Sequence, residues 1–452
     1  MAESAPSFNA EEEAAFKKVS RRILWFILLL AIVNYLDRTN AGFAQLTMGK
    51  ELGISAFVFG WSVTIFSIVY AAFEIPSNLA LQKFGARIWL ARIMITWGVA
   101  SAGCALAMGA SSYLTLRGLV GAAEAGFIPG LVLYLTYWYP QYYRARAQAS
   151  FMISQPIAIA GGSIVSGLIL NNLDGFGGLS GWRWLFIVEG LPAILLGVMI
   201  LFYLSDRPST AHWLTPRERE VIDAAVRREA EQREKTVAFK KGSLLSMLFS
   251  RDMLLISLAY FTLIGNFGSG GYWTPQIVRA ISRPDQPYWL TGLLSAGPYL
   301  LAIAAIPAWS TFSDRIKERY WCAIIPMAIG GVGWLVAVLA PTAQTQYLGL
   351  VIAQLFTLPV WSLFFTMPSS VLPRTAHATG IAFMNTMGMV GASVAPLVIG
   401  YLRDTTGGFT APMTVIGASV IAGAAVMLLV PRHLLVGTGE NPAARAAPAA
   451  GE

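Results

Sequence analysis

The sequence predicts an all-α polytopic membrane protein, with twelve transmembrane helices in two pseudo-symmetric bundles of six. Three observations predict it. The 452 residues are 56% hydrophobic and only 12% charged, about half the charged share of a soluble domain. Apolar stretches long enough to cross a bilayer, about 20 residues, recur along the chain. One half of the chain also echoes the other. In lipid only helices and closed barrels satisfy their own backbone polar groups. These stretches lack the strict alternation of barrel strands, so they read as helices.

In chain order, the tail 1–22 precedes spans at 23–43, 57–80, 88–109, 112–136, 147–170 and 183–204. Acidic residues at 11–13 precede the first span, and no small-residue cleavage site follows it, so that span is expected to stay in the mature chain. The polar connection 205–253 comes next. It carries WLTPRERE at 213–220 and RREAEQREK at 227–235, mixed charges at helical spacing that predict a short cytoplasmic helix. The second six spans read 254–278, 289–311, 320–341, 345–370, 377–401 and 410–431. They place a second bundle at 254–431, against 23–204 for the first. The tail 432–452, ending GTGENPAARAAPAAGE, reads as disordered.

The repeat supports this division. GGSIVSGLIL at 161–170 matches GASVAPLVIG at 391–400, an offset of 230 residues. At the same offset Asp174 meets Asp404, Gly177 meets Gly407, Gly178 meets Gly408, Arg144 meets Arg374, and Gln155 falls on Asn385. A weaker echo joins QKFGAR at 82–87 to SDRIKER at 313–319. Parallel six-helix repeats with a site near midplane are a transporter architecture.

The net charge is +8. Of the 32 Lys and Arg, 25 lie on the N-terminal tail, the even-numbered connections and the C-terminal tail, with Arg92 counted at the inner end of its span. Five lie on the odd-numbered connections, and Arg38 and Arg117 lie inside spans. Basic loops stay cytoplasmic, so both termini are expected inside. No basic helix carries a readable nucleic-acid motif, which excludes that use of the charge. Cys104 and Cys322 fall in spans and read as buried small apolar residues. His212, His377 and His433 lie in loops or near span ends, so neither a metal nor a cofactor is expected.

A charge at the bilayer centre costs about 2.5–3.5 kcal/mol on insertion scales. Four charges sit well inside the first half: Asp37 and Arg38 in span 1, and Arg117 and Glu124 in span 4; Glu74 lies towards the inner end of span 2. They are expected to pair and to face a cavity. Arg117 and Glu124 are seven apart, two turns on one face and about 10 Å along the axis. Asn34, Arg38, Ala41 and Gln45 form a stripe on span 1, with Asp37 beside it. Arg holds carboxylates bidentately and stays protonated. A buried carboxylate next to Arg can exchange a proton as its surroundings change. Two arginines with two titratable acids describe a site for an organic anion driven by protons. Arg38 and Arg117 are the anion anchors in this reading, Asp37 and Glu124 the proton-coupling acids.

In the second half, NFGSGGYW at 266–273 could unwind and line a cavity with Asn266, Tyr272 and Trp273. Trp361 and Ser362 in span 10 are further candidates, either as site residues or as core.

The stretches NYLDRTN at 34–40, YAAFEIPSNLALQKFGAR at 70–87, LRGLVGAAEAGFIPGLVLYLTYWYP at 116–140, the run from Arg144 to Pro156, and GWRWLFIVEGLPAILLG at 181–197 carry a resemblance. Together with WLTPRER at 213–219, they resemble the anion:cation symporter family of the major facilitator superfamily. Bacterial tartrate, phthalate, sugar-acid and hydroxyphenylacetate permeases belong to that family. The resemblance implies a monomeric, multi-pass protein of the bacterial inner membrane that imports an organic anion with protons by alternating access. It also implies substrate contacts at Arg38, Tyr70, Arg117, Gln155 and Asn385, and proton coupling at Asp37 and Glu124. One departure stands out: Gln82 occupies the loop position where the superfamily usually has Asp, whereas the second copy keeps Asp314 and Arg315. The rivals are a non-transporting sensor of the same fold, an exporter of organic compounds and an intramembrane enzyme. The last lacks any Ser/His pair, paired-Asp motif or metal-ligand cluster in its spans.

Overall fold

The computed structural model describes residues 9–236, 246–373 and 376–436. Arg374 of the repeat and the stretch 437–452 of the C-terminal tail lie outside them. Among the described residues, twelve helical stretches are long and apolar enough to cross a membrane. The sole β feature among them is an isolated bridge between Glu318 and Val436.

The helices follow one another as α1 (Ala10–Glu51), α2 (Ala56–Phe84), α3 (Ala86–Gly103), α4 (Ala110–Glu124), α5 (Phe127–Trp138), α6 (Gln141–Asn172), α7 (Gly181–Tyr203) and α8 (Pro216–Thr236). After the connection come α9 (Arg251–Ile281), α10 (Tyr288–Ile316), α11 (Tyr320–Leu339), α12 (Ala343–Thr357), α13 (Val360–Phe364), α14 (Pro368–Val371), α15 (His377–Thr406), α16 (Thr410–Met427) and the short α17 (Arg432–Leu435).

Local chemistry accounts for the departures from the sequence reading. α1 starts 13 residues before the expected span, so residues 10–22 continue the first helix instead of forming a separate tail. Asn9 and Glu12 close a capping box there, with Glu12 N donating to Asn9 Oδ1 at 2.8 Å and Asn9 N to Glu12 Oε2 at 3.0 Å. The acidic first turn also suits the positive end of the helix dipole. Span 4 is two helices. The chain breaks at Ala125 and Gly126, where Gly126 has φ 81°, a left-handed conformation that costs glycine little. Span 10 breaks after Thr357, before Pro359, whose nitrogen carries no hydrogen to donate. The glycine-rich stretch at 266–273 does not unwind: α9 runs through it unbroken. Its glycines serve packing, for a Cβ on Gly268 would stand 2.8 Å from Ala392 Cα on α15.

Contacts divide the chain into two compact units. One comprises Met1–Ala238 with Pro287–Leu293, the other Phe239–Gln286 with Leu294–Glu452. In the first, α1 packs on α6 and α7, α2 on α4, and α3 on α7. The α2–α4 contact is nearly backbone to backbone. A Cβ on Gly121 would stand 2.5 Å from the Phe66 carbonyl oxygen, as expected where small residues let membrane helices approach. The charged helix α8 lies along the start of α1. Lys18 Nζ meets Glu218 Oε2 at 2.7 Å, Arg217 Nε meets Glu11 Oε1 at 2.8 Å, and Arg228 pairs with Glu12. In the second unit, α9 packs on α15, and α11 on α12 and α16.

Candidate functional site

In the first unit, α1 presents polar residues to two neighbours. Asn34 and Arg38, one turn apart, turn to α4. Asn34 Nδ2 and Arg38 Nη2 both donate to Glu124 Oε1, each at 2.8 Å. The Glu124 side chain is fully buried, while that of Arg38 is 30% exposed. Thus one partner of the pair can meet a ligand and the other cannot without movement. Glu124 Oε2 is buried with no hydrogen-bond partner. Glu124 is also the last residue of α4, directly before the break at Gly126. The break therefore ends the helix at its charged residue.

Asp37 turns the other way, to α3. Trp97 Nε1 donates to its Oδ2 at 2.9 Å and Asn40 Nδ2 to its Oδ1 at 2.9 Å, and the Ser101 hydroxyl also bonds Oδ1. Asp37 is thus Arg38's neighbour in the chain, whereas the carboxylate that Arg38 meets in space is Glu124.

The two arginines gather at one ring. The Arg117 guanidinium carbon lies 5.0 Å from the Phe66 centroid and that of Arg38 lies 5.5 Å from it. Arg38 also lies 6.0 Å from the Tyr70 ring and 5.7 Å from Tyr35. Aromatic faces attract such cations. Arg117 and Tyr70 are buried. Gln155 is part-exposed on α6 and is not joined to the Arg38–Glu124 pair. Gln45, the far end of the expected stripe, donates to the Ile54 carbonyl at 3.0 Å and ties down the turn after α1. Glu74 is half-buried on α2.

The second unit places its candidates differently. Asn266 is buried; its Oδ1 accepts from Trp334 Nε1 at 2.7 Å and its Nδ2 donates to Thr357 Oγ1 at 3.1 Å. Tyr272 is buried, and Trp273 is fully so, edge-on to Phe409. Trp361 Nε1 donates to the Tyr260 hydroxyl at 3.0 Å. Ser362 bonds the Pro359 carbonyl at 2.9 Å and Ser310 at 2.8 Å. Asn385 is exposed on α15. The structure does not gather these six into one cluster as it gathers Asn34, Arg38 and Glu124.

The sequence reading missed four residues. Trp97, Ser101 and Phe66 carry no signal of their own, being a Trp, a Ser and a Phe within apolar spans. Glu189 did carry one. It lies well inside span 6, meets the criterion applied to Glu124, and is 2% exposed.

Comparisons with known proteins agree with this architecture. The sequence pattern of the Major Facilitator Superfamily matches residues 27–396 and 288–450. A protein of Agrobacterium vitis provisionally named a tartrate transporter is 39% identical over 93% of this chain and 95% of its own. A quinolone resistance transporter of Acinetobacter baumannii is 32% identical over 91% of this chain and 94% of its own. The crystal structure of a D-xylose-proton symporter superposes with a TM-score of 0.70 at 13% identity, covering 91% of this chain and 98% of that one; this last likeness concerns the fold alone. Twelve membrane-crossing helices, a repeated six-helix plan and a match along nearly the whole chain lead to one conclusion: the protein is not an enzyme but a multi-pass membrane transporter, and it belongs to the Major Facilitator Superfamily.

Proposed function

We propose that this transporter imports a small organic anion together with protons by alternating access. The substrate class is a hydroxy or aromatic mono- or dicarboxylate, such as tartrate, phthalate or a sugar acid. The setting is the bacterial inner membrane, with both termini cytoplasmic and the chain acting as a monomer. The observation that carries the reading is the Arg38–Glu124 pair, with Arg38 part-exposed, Glu124 fully buried and Arg117 at the same aromatic ring.

Within this reading a carboxylate competes with Glu124 for Arg38. Arg38 leaves Glu124 only if the buried carboxylate does not remain as an uncompensated charge, because breaking a buried pair by removing one partner costs about 3–5 kcal/mol. A proton on Glu124 meets that condition. It neutralises the acid, releases the guanidinium and leaves Asn34 as the neutral hydrogen-bond partner. Anion and proton then enter together, and the charge in the membrane stays balanced. Arg117 is the second cation for a dicarboxylate. Tyr70, Tyr272 and Trp361 are ring surfaces for an aromatic acid, and Gln155, Ser362 and Asn385 are polar partners for hydroxyl groups. Support for tartrate specifically comes from the Agrobacterium vitis relative.

The test is uptake of radiolabelled tartrate and phthalate into proteoliposomes, with and without an inward proton gradient. Gradient-stimulated uptake that Arg38→Ala abolishes supports the reading; no uptake of either acid overturns it. A second reading, export of organic compounds, draws on the quinolone resistance relative. It is favoured instead if a quinolone leaves preloaded vesicles faster through the protein and the carboxylates do not move.

A further inference from the structure

Among the acids buried in the spans, Glu189 has no part in the mechanism above. Glu189 lies in the middle of α7 and is 2% exposed. Ser166 Oγ on α6 donates to its Oε1 at 2.6 Å, while Oε2 is buried with no hydrogen-bond partner. The elements packed most closely against α7 are α3, α1, α6 and the turn after α3. From α6 the facing group is the Ser166 hydroxyl. From α1 the facing group is Asp37. From α3, the stretch 98–102 makes the contact. A Cβ on Gly190 would stand 2.9 Å from the Gly98 carbonyl and 3.0 Å from Ala102 N, and this stretch contains no charged residue. From the turn after α3, Cys104 is a buried thiol. No cation among the described residues pairs with Glu189.

Asp37 and Glu189 are therefore provided for in opposite ways. Asp37 takes three donors, from Trp97, Asn40 and Ser101, which suits an ionised carboxylate. Glu189 has one hydroxyl and one bare oxygen in a buried helix contact, where an ionised carboxylate is costly and a neutral acid is not. Environments that treat two neighbouring acids so differently assign them different protonation roles. We propose that Glu189 is a proton-carrying residue of the transport cycle, loaded in the state described here, and that it releases its proton to water at another step. The O–H bond of Glu189 breaks, an O–H bond to water forms, and the anion left behind is neutralised again when the next proton enters. This inference rests on the proton-coupled reading above.

Glu189→Gln tests it, because an amide copies the neutral acid but cannot release a proton. Tartrate is the first probe in proteoliposomes and phthalate the second. The expected result is that exchange of internal for external substrate stays within about twofold of wild type, while gradient-driven accumulation falls at least tenfold. Accumulation that matches wild type overturns the inference and leaves Glu189 as a neutral packing group. If Glu189→Gln loses exchange too, Ser166→Ala decides, since it removes the hydroxyl and keeps the acid. A displaced pH profile of gradient-driven uptake then supports the inference, and an unchanged profile overturns it. Failure of the underlying reading is distinguishable, because the wild type itself would then accumulate neither acid.

Discussion

Each half of the molecule locks its first spanning helix to an indole, but with different chemistry. In the first half Trp97 donates to Asp37 at 2.9 Å; in the second, Trp334 donates to Asn266 at 2.7 Å. A second contrast lies at the repeat offset, where Glu124 on α4 corresponds to Gln354 on α12. Glu124 binds Arg38, whereas Gln354 Nε2 donates to Thr274 Oγ1 at 2.9 Å. The second half shows that the packing needs only an acceptor for the indole and a polar group on the fourth spanning stretch. Neutral amides meet both needs. The carboxylates of the first half exceed what the architecture requires, and a membrane charges heavily for the excess. That surplus supports a functional reading of Asp37 and Glu124 better than their burial does, since buried ion pairs alone are weak evidence for anything.

The comparison breaks most easily at Arg38. Arg38→Ala leaves Glu124 without its cation and is expected to destabilise the protein by about 3–5 kcal/mol, read as a lower unfolding midpoint in detergent. Arg38→Ala with Glu124→Gln should recover most of that loss, because the doubly neutral pair resembles the second half. A double variant as unstable as the single one would show that Arg38 packs rather than pairs. Next in size is the converse, Asn266→Asp, which gives the second half the acid of the first. No cation meets Asn266 among its bonds to Trp334 and Thr357, so the new charge should cost about 2.5–3.5 kcal/mol. The cost should shrink on acidification, as the introduced acid takes up a proton. A cost of similar size for Asp37→Asn would sink the claim that the two positions differ in chemistry.

How much of this was legible in the sequence follows from what the spacing could encode. Apolar length and repeat offset are properties of the chain, so the twelve spans could be read directly. Charges in spans are conspicuous as well, so Arg38 and Glu124 could be named. Which acid Arg38 meets was not legible. Asp37 and Arg38 adjoin in sequence, but consecutive residues on a helix point about 100° apart, and the structure sends them to α3 and α4. Helix breaks inside apolar runs were equally hidden. The glycines at 266–273 support an unbroken α9, whereas Gly126 breaks span 4, and only the backbone conformation separates the two uses. Glu189 was equally legible, as a charge well inside span 6.

The indole locks give a smaller effect. Trp97→Phe and Trp334→Phe each remove one buried hydrogen bond. The expected cost is about 0.6–1.7 kcal/mol, the range of polar contacts between membrane helices. If the comparison is sound, Trp334→Phe leaves transport nearly unchanged. Trp97→Phe, which removes a donor from a carboxylate, should in addition shift the pH dependence of uptake. Equal pH profiles for the two variants would argue that Asp37 serves packing alone.

The smallest effect tests whether the environment of a charge, rather than its pairing, sets its importance. Lys18 and Glu218 join α1 to α8 at 2.7 Å, with side chains 44% and 25% exposed. The Lys18 hydrogen bond holds the Glu218 carboxyl below the usual carboxylate range, despite the opposing effect of partial burial. A carboxyl lowered in the folded state contributes stability at neutral pH and loses it as the pH falls through the folded value. Solvent and salt screen such a pair, so Lys18→Ala should cost no more than about 1 kcal/mol at neutral pH, and nothing once Glu218 is protonated. Thermal unfolding of wild type and Lys18→Ala at neutral and acidic pH, at low and high salt, checks both signs. A loss rivalling that of Arg38→Ala would mean that the α1–α8 contact is a major support of the first bundle. The contrast between the halves would then have to include the charged helix beside the membrane as well as the acids within it.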